Sequence, residues 1–446
     1  MEKKVIIVGA GLVGSLWAVY MAKAGYKVTI YERRPDIRKA EISAGKSINL
    51  ALSHRGWKAI RNAGVEEEVK KIAIPMSGRI MHDTDGQLTY QAYGKKDEAI
   101  YSVSRGHLNA IMMDIAENKG RATIHYNHQC TGADLDNGIV QLRDLKNNRE
   151  FEDSADLVFA ADGAFSAVRY NAMQKVDRFN YSQFYIEDGY KELLLPADKN
   201  GNYQIEKNAL HIWPRGRFML IALPNEDGSF TCTLFMPYDN HEYAFNDLDS
   251  DEKINVFFKT IFPDFHALMP NLIENWHQNP LSSLSIVRCY PWTMGKFALM
   301  GDSCHATVPF YGQGMNAGFE DCRILDELLD KHNNNFKTCF KEYTEVRKPN
   351  GDGVQDLSMH NFIVMRDKTA DIKFLLQKKI EQKFAQRYPK KWVPLYSMVS
   401  FSNISYSKAW HIGMKQEEMM KSIMDITNIS DIWESDEIMK KMLDLI

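Results

Sequence analysis

Cysteine is scarce and scattered: six residues in 446 (Cys130, Cys232, Cys289, Cys304, Cys322, Cys339), with no CxxC pair and no cysteine–histidine cluster at zinc-ligand spacing. This argues against a disulfide framework and against a zinc site, and it points to a reducing compartment, the cytoplasm. No run of about 18 apolar residues occurs, so a membrane span is not expected. Met1 leads directly into a short apolar strand pattern, without the basic region and longer apolar stretch of a signal peptide. Charge of one sign is also lacking. Lys and Arg number 55 against 58 Asp and Glu, for a formal net charge of −3, and the cations are dispersed, which leaves no electrostatic footprint for nucleic acid. There is no internal repeat and no low-complexity linker. What is present is an ordinary globular composition, 44% hydrophobic and 25% charged, enough to bury a large core divided into two or three regions. Small-molecule chemistry is the natural expectation.

The chain opens with the apolar run Val5-Ile6-Ile7-Val8, then Gly9, then a segment of helical composition ending at Ala24-Gly25, then a second apolar run, Val28-Thr29-Ile30-Tyr31, ending at Glu32. Strand, tight turn, helix and strand in this order make a βαβ unit on a buried parallel sheet. Gly9-Ala10-Gly11-Leu12-Val13-Gly14 is a GxGxxG placed at the strand-to-helix junction. Gly9 allows the turn, Gly11 lets a pyrophosphate approach the backbone, and Gly14 lets helix and sheet pack closely. The helix start offers free N–H groups to the phosphates, and Glu32 is placed to accept from a ribose hydroxyl. The motif alone leaves NAD and FAD both open.

Two later motifs favour flavin. Phe297 to Ala306 is an apolar strand ending in Gly301-Asp302, and Pro309 to Gly318 is a glycine-rich helix start containing Gly312-Gln313-Gly314-Met315-Asn316. Asp302 suits a polyhydroxy chain such as ribityl, and the helix start presents N–H donors to a group that becomes anionic, as reduced flavin does at its N1–C2 edge. A third strand-to-helix turn, Leu157 to Arg169, carries Asp162-Gly163 at its apex. Asp162 reads equally as a helix cap and as part of the dinucleotide site. Between about 121 and 161, period-two segments are separated by turns at Asp136-Asn137-Gly138 and Lys146-Asn147-Asn148, predicting an antiparallel meander. Strand-like pieces from about 180 to 290, such as Leu210 to Trp213 and Phe230 to Phe235, predict a separate sheet, and the chain after Gly318 reads as mostly helical.

In this order, the three motifs resemble the flavoprotein aromatic hydroxylases of the para-hydroxybenzoate hydroxylase class, over roughly the first three quarters of the chain. Longer stretches are similar to the kynurenine 3-monooxygenase family: Gly45 to Gly56, Tyr101 to Arg105, His211 to Arg215, Pro309 to Cys322 and Asp356 to Met359, with likeness extending to about Phe401. The resemblance implies an α/β fold with a Rossmann-type FAD-binding domain (1–73, 104–179 and 291–325) carrying the meander, a β-sheet substrate domain (74–103 and 180–290) and a helical C-terminal region (326–446). It implies non-covalent FAD at Val13, Glu32, Arg34, Ala51, Arg105, Asp302, Met315 and Asn316, alongside the motif residues Gly9, Gly11, Gly14, Asp162 and Gly314. NADPH is implied as a transient co-substrate, since no second GxGxxG follows a strand. The implied reaction turns L-kynurenine into 3-hydroxykynurenine with O2, in tryptophan degradation and in quinolinate and NAD biosynthesis.

For the substrate, the resemblance implies that Arg79 and Tyr93 hold the amino-acid carboxylate, assisted by Asn361 and Tyr396, with Phe310 and Gln313 near the rings. A guanidinium binds a carboxylate bidentately, which suits that role. From Ile74-Pro75-Met76-Ser77-Gly78 alone, however, the arginine that follows reads as a surface residue. No side chain is expected to act as catalytic acid or base: flavin carries the chemistry, and the ring amine already activates the neighbouring carbon. His305, after the Gly-Asp turn, reads as a packed, hydrogen-bonded histidine. The alternatives are a related flavin hydroxylase of another aromatic acid and a non-catalytic flavin-binding module. Eukaryotic members of the family carry a hydrophobic C-terminal anchor, whereas Lys415 to Ile446 is charged and amphipathic, so a soluble, bacterial-type form is expected.

Overall fold

The computed structural model describes residues 3–39, 49–93, 98–365 and 371–446. Gly45, Lys46, Ser47 and Ile48 of the family-like stretch lie outside the described residues. The strand Lys4–Val8 is central in a six-stranded sheet, parallel to Lys27–Glu32 on one side and Leu157–Ala160 on the other, with Thr123–Tyr126 and Phe297–Leu299 beyond them and Thr293–Met294 antiparallel at the edge. Val5, Ile6 and Ile7 are fully buried, because the sheet is covered on both faces, by the helix Leu12–Lys23 where Trp17 meets Phe159 and by the meander where Phe151 meets Tyr31, so the apolar runs need no alternation. The meander is present as His128–Asp134, Ile139–Asp144 and Arg149–Ser154. Its turns fall where Asp134 and Asp144 accept backbone N–H bonds from Asn137 and Asn147.

The second large sheet has seven strands in the order Leu281–Tyr290, Asn180–Leu195, Phe230–Pro237, Phe218–Pro224, Ala209–Arg215, Gly78–His82 and Leu88–Ala92. Phe230, Cys232, Leu234 and Met236 point to one face, where Phe258, Phe262 and Phe265 of a helical layer pack on them. Phe235 points to the other face, against Phe310 and Phe362. This alternation gives a strand buried on both faces, as Phe230–Pro237 is. A small sheet of Asn49–Leu52, Ile100–Ser104 and Ile74–Met76 joins the two large ones. The ends of segment 74–103 therefore stay with the strand carrying Ala51, while its middle enters the seven-stranded sheet. After the helix Gly314–Lys331 the chain is helical, through Phe336–Ile363, Ile372–Arg387, Leu395–Ser400, Tyr406–Met424 and Asp436–Asp444. No helix among the described residues is long and apolar enough to cross a membrane.

Candidate active site

The glycine-rich turn has the geometry its spacing predicts. Gly9 has φ +98°, and a Cβ there would lie 2.6 Å from the Ala161 carbonyl oxygen; one on Gly14 would lie 2.0 Å from the Gly9 oxygen. Around Gly11 nothing lies within 4 Å of such an atom, and the first turn of the helix Leu12–Lys23 carries no acidic residue. That open space in front of free N–H groups fits a pyrophosphate. Glu32 is pinned at the rim, its carboxylate accepting from Ala10 N at 2.8 Å and Arg34 N at 2.9 Å, with lone pairs left for a sugar hydroxyl. Arg34, Arg105 and Asp302 are exposed. Val13 packs between two glycines: a Cβ on Gly301 or Gly318 would come within 2.9 or 2.6 Å of its Cγ2. Asn316 ties the cradle together. Its Nδ2 donates to Ala51 O (2.8 Å) and Gly312 O (2.9 Å), and its Oδ1 accepts from Ser53 N (2.9 Å), which fixes Gly314 and Met315 at the helix start against the small sheet. Asp162 acts as a helix cap. Oδ2 caps the next helix through Ala167 N (2.7 Å) and Val168 N (3.3 Å), while Oδ1 is buried without a partner among the described residues. Burial pushes this carboxyl above its ordinary pKa.

Arg79 lies on Gly78–His82, paired with Leu210 and Gln91. Its guanidinium carbon lies 5.1 Å from the Tyr93 ring centroid and 4.5 Å from that of Tyr396. Tyr93 and Tyr396 stack at 5.1 Å and 13°, and Tyr311 stacks on Tyr396 at 5.7 Å and 16°. Arg79 Nε and Tyr93 Oη are both buried without partners among the described residues. Burial holds the Tyr93 hydroxyl well above the usual phenol range, so it stays protonated and able to donate. Leu210, Ile221 and Leu223 flank this group, and Phe310 continues the wall, stacked on Phe362 at 4.2 Å and 4.9 Å from Phe235. A guanidinium with an unsatisfied Nε and an unsatisfied hydroxyl at the end of an apolar wall are suited to an aromatic acid. A separate cleft of about 740 Å³, lined by Lys3, Tyr290, Met294, Phe336 and Phe340 among others, shares none of these residues.

Residues 2–358 match the family described as FAD binding domain. A relative from Christiangramia forsetii named kynurenine 3-monooxygenase is 48% identical over 446 residues, covering 100% of this chain and 99% of the relative. The chain belongs to the kynurenine 3-monooxygenase family. A second member, from Flavobacterium psychrophilum, is 49% identical with the same coverage. Among solved structures, the tetrameric form of 2-methyl-3-hydroxypyridine-5-carboxylic acid oxygenase superposes with a TM-score of 0.67 over 84% of this chain and 95% of that one, at 19% identity, a likeness of fold. The fold is thus that of the flavin hydroxylases, and FAD is the dinucleotide of the glycine-rich cradle.

Within this member of the kynurenine 3-monooxygenase family, the structure gathers Arg79, Tyr93 and Tyr396 from distant parts of the chain. Two of the expected substrate residues also have partners within the protein. Asn361 Nδ2 donates to Phe310 O (2.7 Å) and to Met365 Sδ (3.2 Å), so its donors brace the aromatic wall and are not free for a carboxylate. Gln313 is 1% exposed, and its Oε1 accepts from Tyr406 Oη (2.9 Å) and Ser53 Oγ (3.3 Å). Tyr311, to which the sequence assigned no role, forms part of the aromatic stack, and only its position between Phe310 and Gln313 hinted at this. His305 is packed and hydrogen-bonded, as its context predicts: its Nε2 meets Asp321 Oδ2 at 2.6 Å. Asp321 also accepts from Arg347 Nε (2.7 Å) and Gly301 N (2.9 Å), locking the Gly-Asp turn to the helix Gly314–Lys331.

Proposed function

We propose that the protein hydroxylates L-kynurenine at the ring carbon next to its amine, with FAD, NADPH and O2, yielding 3-hydroxykynurenine. The observation carrying this reading is the Arg79 guanidinium, its Nε without a partner among the described residues, beside the Tyr93 hydroxyl, at one end of an apolar wall whose other end, Phe310, adjoins the flavin cradle through Gln313 to Asn316. FAD, when bound, supplies the redox chemistry: it takes reducing equivalents from NADPH and passes one oxygen atom of O2 to the substrate. Arg79 and Tyr93 bind the carboxylate and Tyr396 closes over them. Phe310, Phe235 and Phe362 hold the ring and exclude water. The substrate's aniline nitrogen activates the accepting carbon, so no protein base is required. NADPH docks transiently, as the single GxGxxG implies. A cytoplasmic location fits the six cysteines, all buried and unpaired. Incubating the FAD-loaded protein with NADPH and kynurenine, followed by mass spectrometry, should show a gain of one oxygen on kynurenine. Oxygenation of a different aromatic acid, with kynurenine untouched, overturns the substrate assignment.

A further inference from the structure

Arg55 is a fully internal cation, 1% exposed, near the start of the helix His54–Ala63, which follows the strand carrying Ala51. Its donors reach into the far end of the chain. Nε donates to Val399 O (3.2 Å), Nη2 to Met398 O (3.4 Å) and to Ile404 O, and Nη1 to Glu320 Oε1 (3.2 Å). The guanidinium carbon also lies 4.0 Å from the Tyr406 ring centroid. Met398 and Val399 belong to the short helix Leu395–Ser400, whose terminal carbonyls have no partners within the helix itself. Ser402 Oγ also donates to Met398 O (2.6 Å), so Arg55 shares in the C-terminal capping of this helix and adds the bond to Val399 O. Two further bonds run alongside: Asn403 meets His54 at 3.1 Å, and Tyr406 Oη reaches Gln313 at 2.9 Å.

The capped helix carries Tyr396, the ring that lies over Arg79 and stacks on Tyr93 and Tyr311. We propose that Arg55 is a positioning residue for the substrate carboxylate: by capping Leu395–Ser400 it holds Tyr396 as the roof of the Arg79 pocket, without itself touching the substrate. The inference rests on the function proposed above. Displacing the roof lets water reach Arg79, and a solvated guanidinium binds a carboxylate less well. The flavin cradle is insulated from this effect. Glu320 keeps Arg347 at 2.7 Å and Arg323 at 3.2 Å when Arg55 is gone, and Asn316 holds the cradle independently.

The test is substrate binding to the FAD-loaded protein, followed by perturbation of the flavin spectrum, with two ligands: kynurenine and its counterpart lacking the carboxylate. Arg55→Met should raise the dissociation constant for kynurenine on the order of tenfold, and that of the counterpart by less than about threefold, with FAD content unchanged. Arg55→Lys, a point charge unable to reach three carbonyls and a carboxylate together, should show a smaller shift with the same selectivity; it decides the case if Arg55→Met does not fold. Equal weakening of both ligands indicates general damage and overturns the proposal, as does no weakening of either. Failure of the wild type to oxygenate kynurenine sinks the functional reading, whereas wild-type turnover with unselective Arg55 variants sinks the positioning role alone.

Discussion

Arg79→Ala is the sharpest probe of the substrate site. In the free protein this guanidinium faces two phenol rings, at 4.5 and 5.1 Å, with Nε unpartnered among the described residues. Its natural complement is an anion brought in by the substrate. Truncation leaves that carboxylate in a pocket walled by Tyr93, Tyr396, Leu210 and Leu223 without its cationic partner. Removing one side of a desolvated charge pair costs about 2–5 kcal/mol, of which much is the penalty on the charge left behind. At 1.36 kcal/mol per tenfold, kcat/KM for kynurenine should fall roughly 30- to 5,000-fold. FAD content should be unchanged, since Arg79 contributes to none of the cradle contacts. Arg79→Lys should recover only part of the loss, lacking the planar fork. The assay is steady-state NADPH oxidation coupled to product quantification, run in parallel with the substrate counterpart lacking the carboxylate. That counterpart should react poorly with the wild type and lose little more with Arg79→Ala. A near-normal kcat/KM for kynurenine in Arg79→Ala refutes the carboxylate role.

Gly11→Val should fold yet purify colourless, because the space within 4 Å of its Cβ is empty of protein and is the approach path of the pyrophosphate; flavin absorbance beside an unchanged circular dichroism spectrum checks this, and wild-type FAD content contradicts it. Asp321→Asn should destabilise the fold by about 3–5 kcal/mol in denaturant titrations, since it takes from buried Arg347 and His305 the carboxylate that both engage. Burial lifts the Glu192 carboxyl from 4.5 to about 7, against the opposing pull of Arg105. Below the lower value both folded and unfolded chains carry the proton; between the two values only the unfolded chain gives it up, so this group lowers stability progressively as pH rises to about 7. Glu192→Gln, which cannot ionise, should therefore gain stability relative to wild type between about pH 5 and about pH 8, and an unfolding-midpoint difference that does not change with pH removes that account.

The cofactor half of this protein was legible in the sequence because its signals are local. Gly9 and Gly14 are dictated by one backbone angle and one close approach within six residues, and the apolar runs at Val5 to Val8 and Val28 to Tyr31 announce a sheet covered on both faces. The turns after Asp134 and Asp144 are likewise fixed by side chains bonding their own neighbours. The substrate half was legible only through resemblance. Arg79, Tyr93 and Tyr396 acquire a joint meaning when a sheet edge and a short helix more than 300 positions away meet and water leaves, and desolvation of that kind has no periodicity to read. The same holds for Asn361, whose donors are taken by Phe310 O and Met365 Sδ, and for Gln313, drawn to Tyr406. Arg55 is the extreme case. In the sequence it is one more cation in a helix rich in basic residues; in the folded chain it is buried, caps a helix from the other end of the molecule and shares Glu320 with Arg347. Backbone conformation and hydrophobic pattern are properties of a few adjacent residues and so are written in the sequence, whereas which polar groups are stripped of water, and which partners then satisfy them, is decided only when distant segments pack.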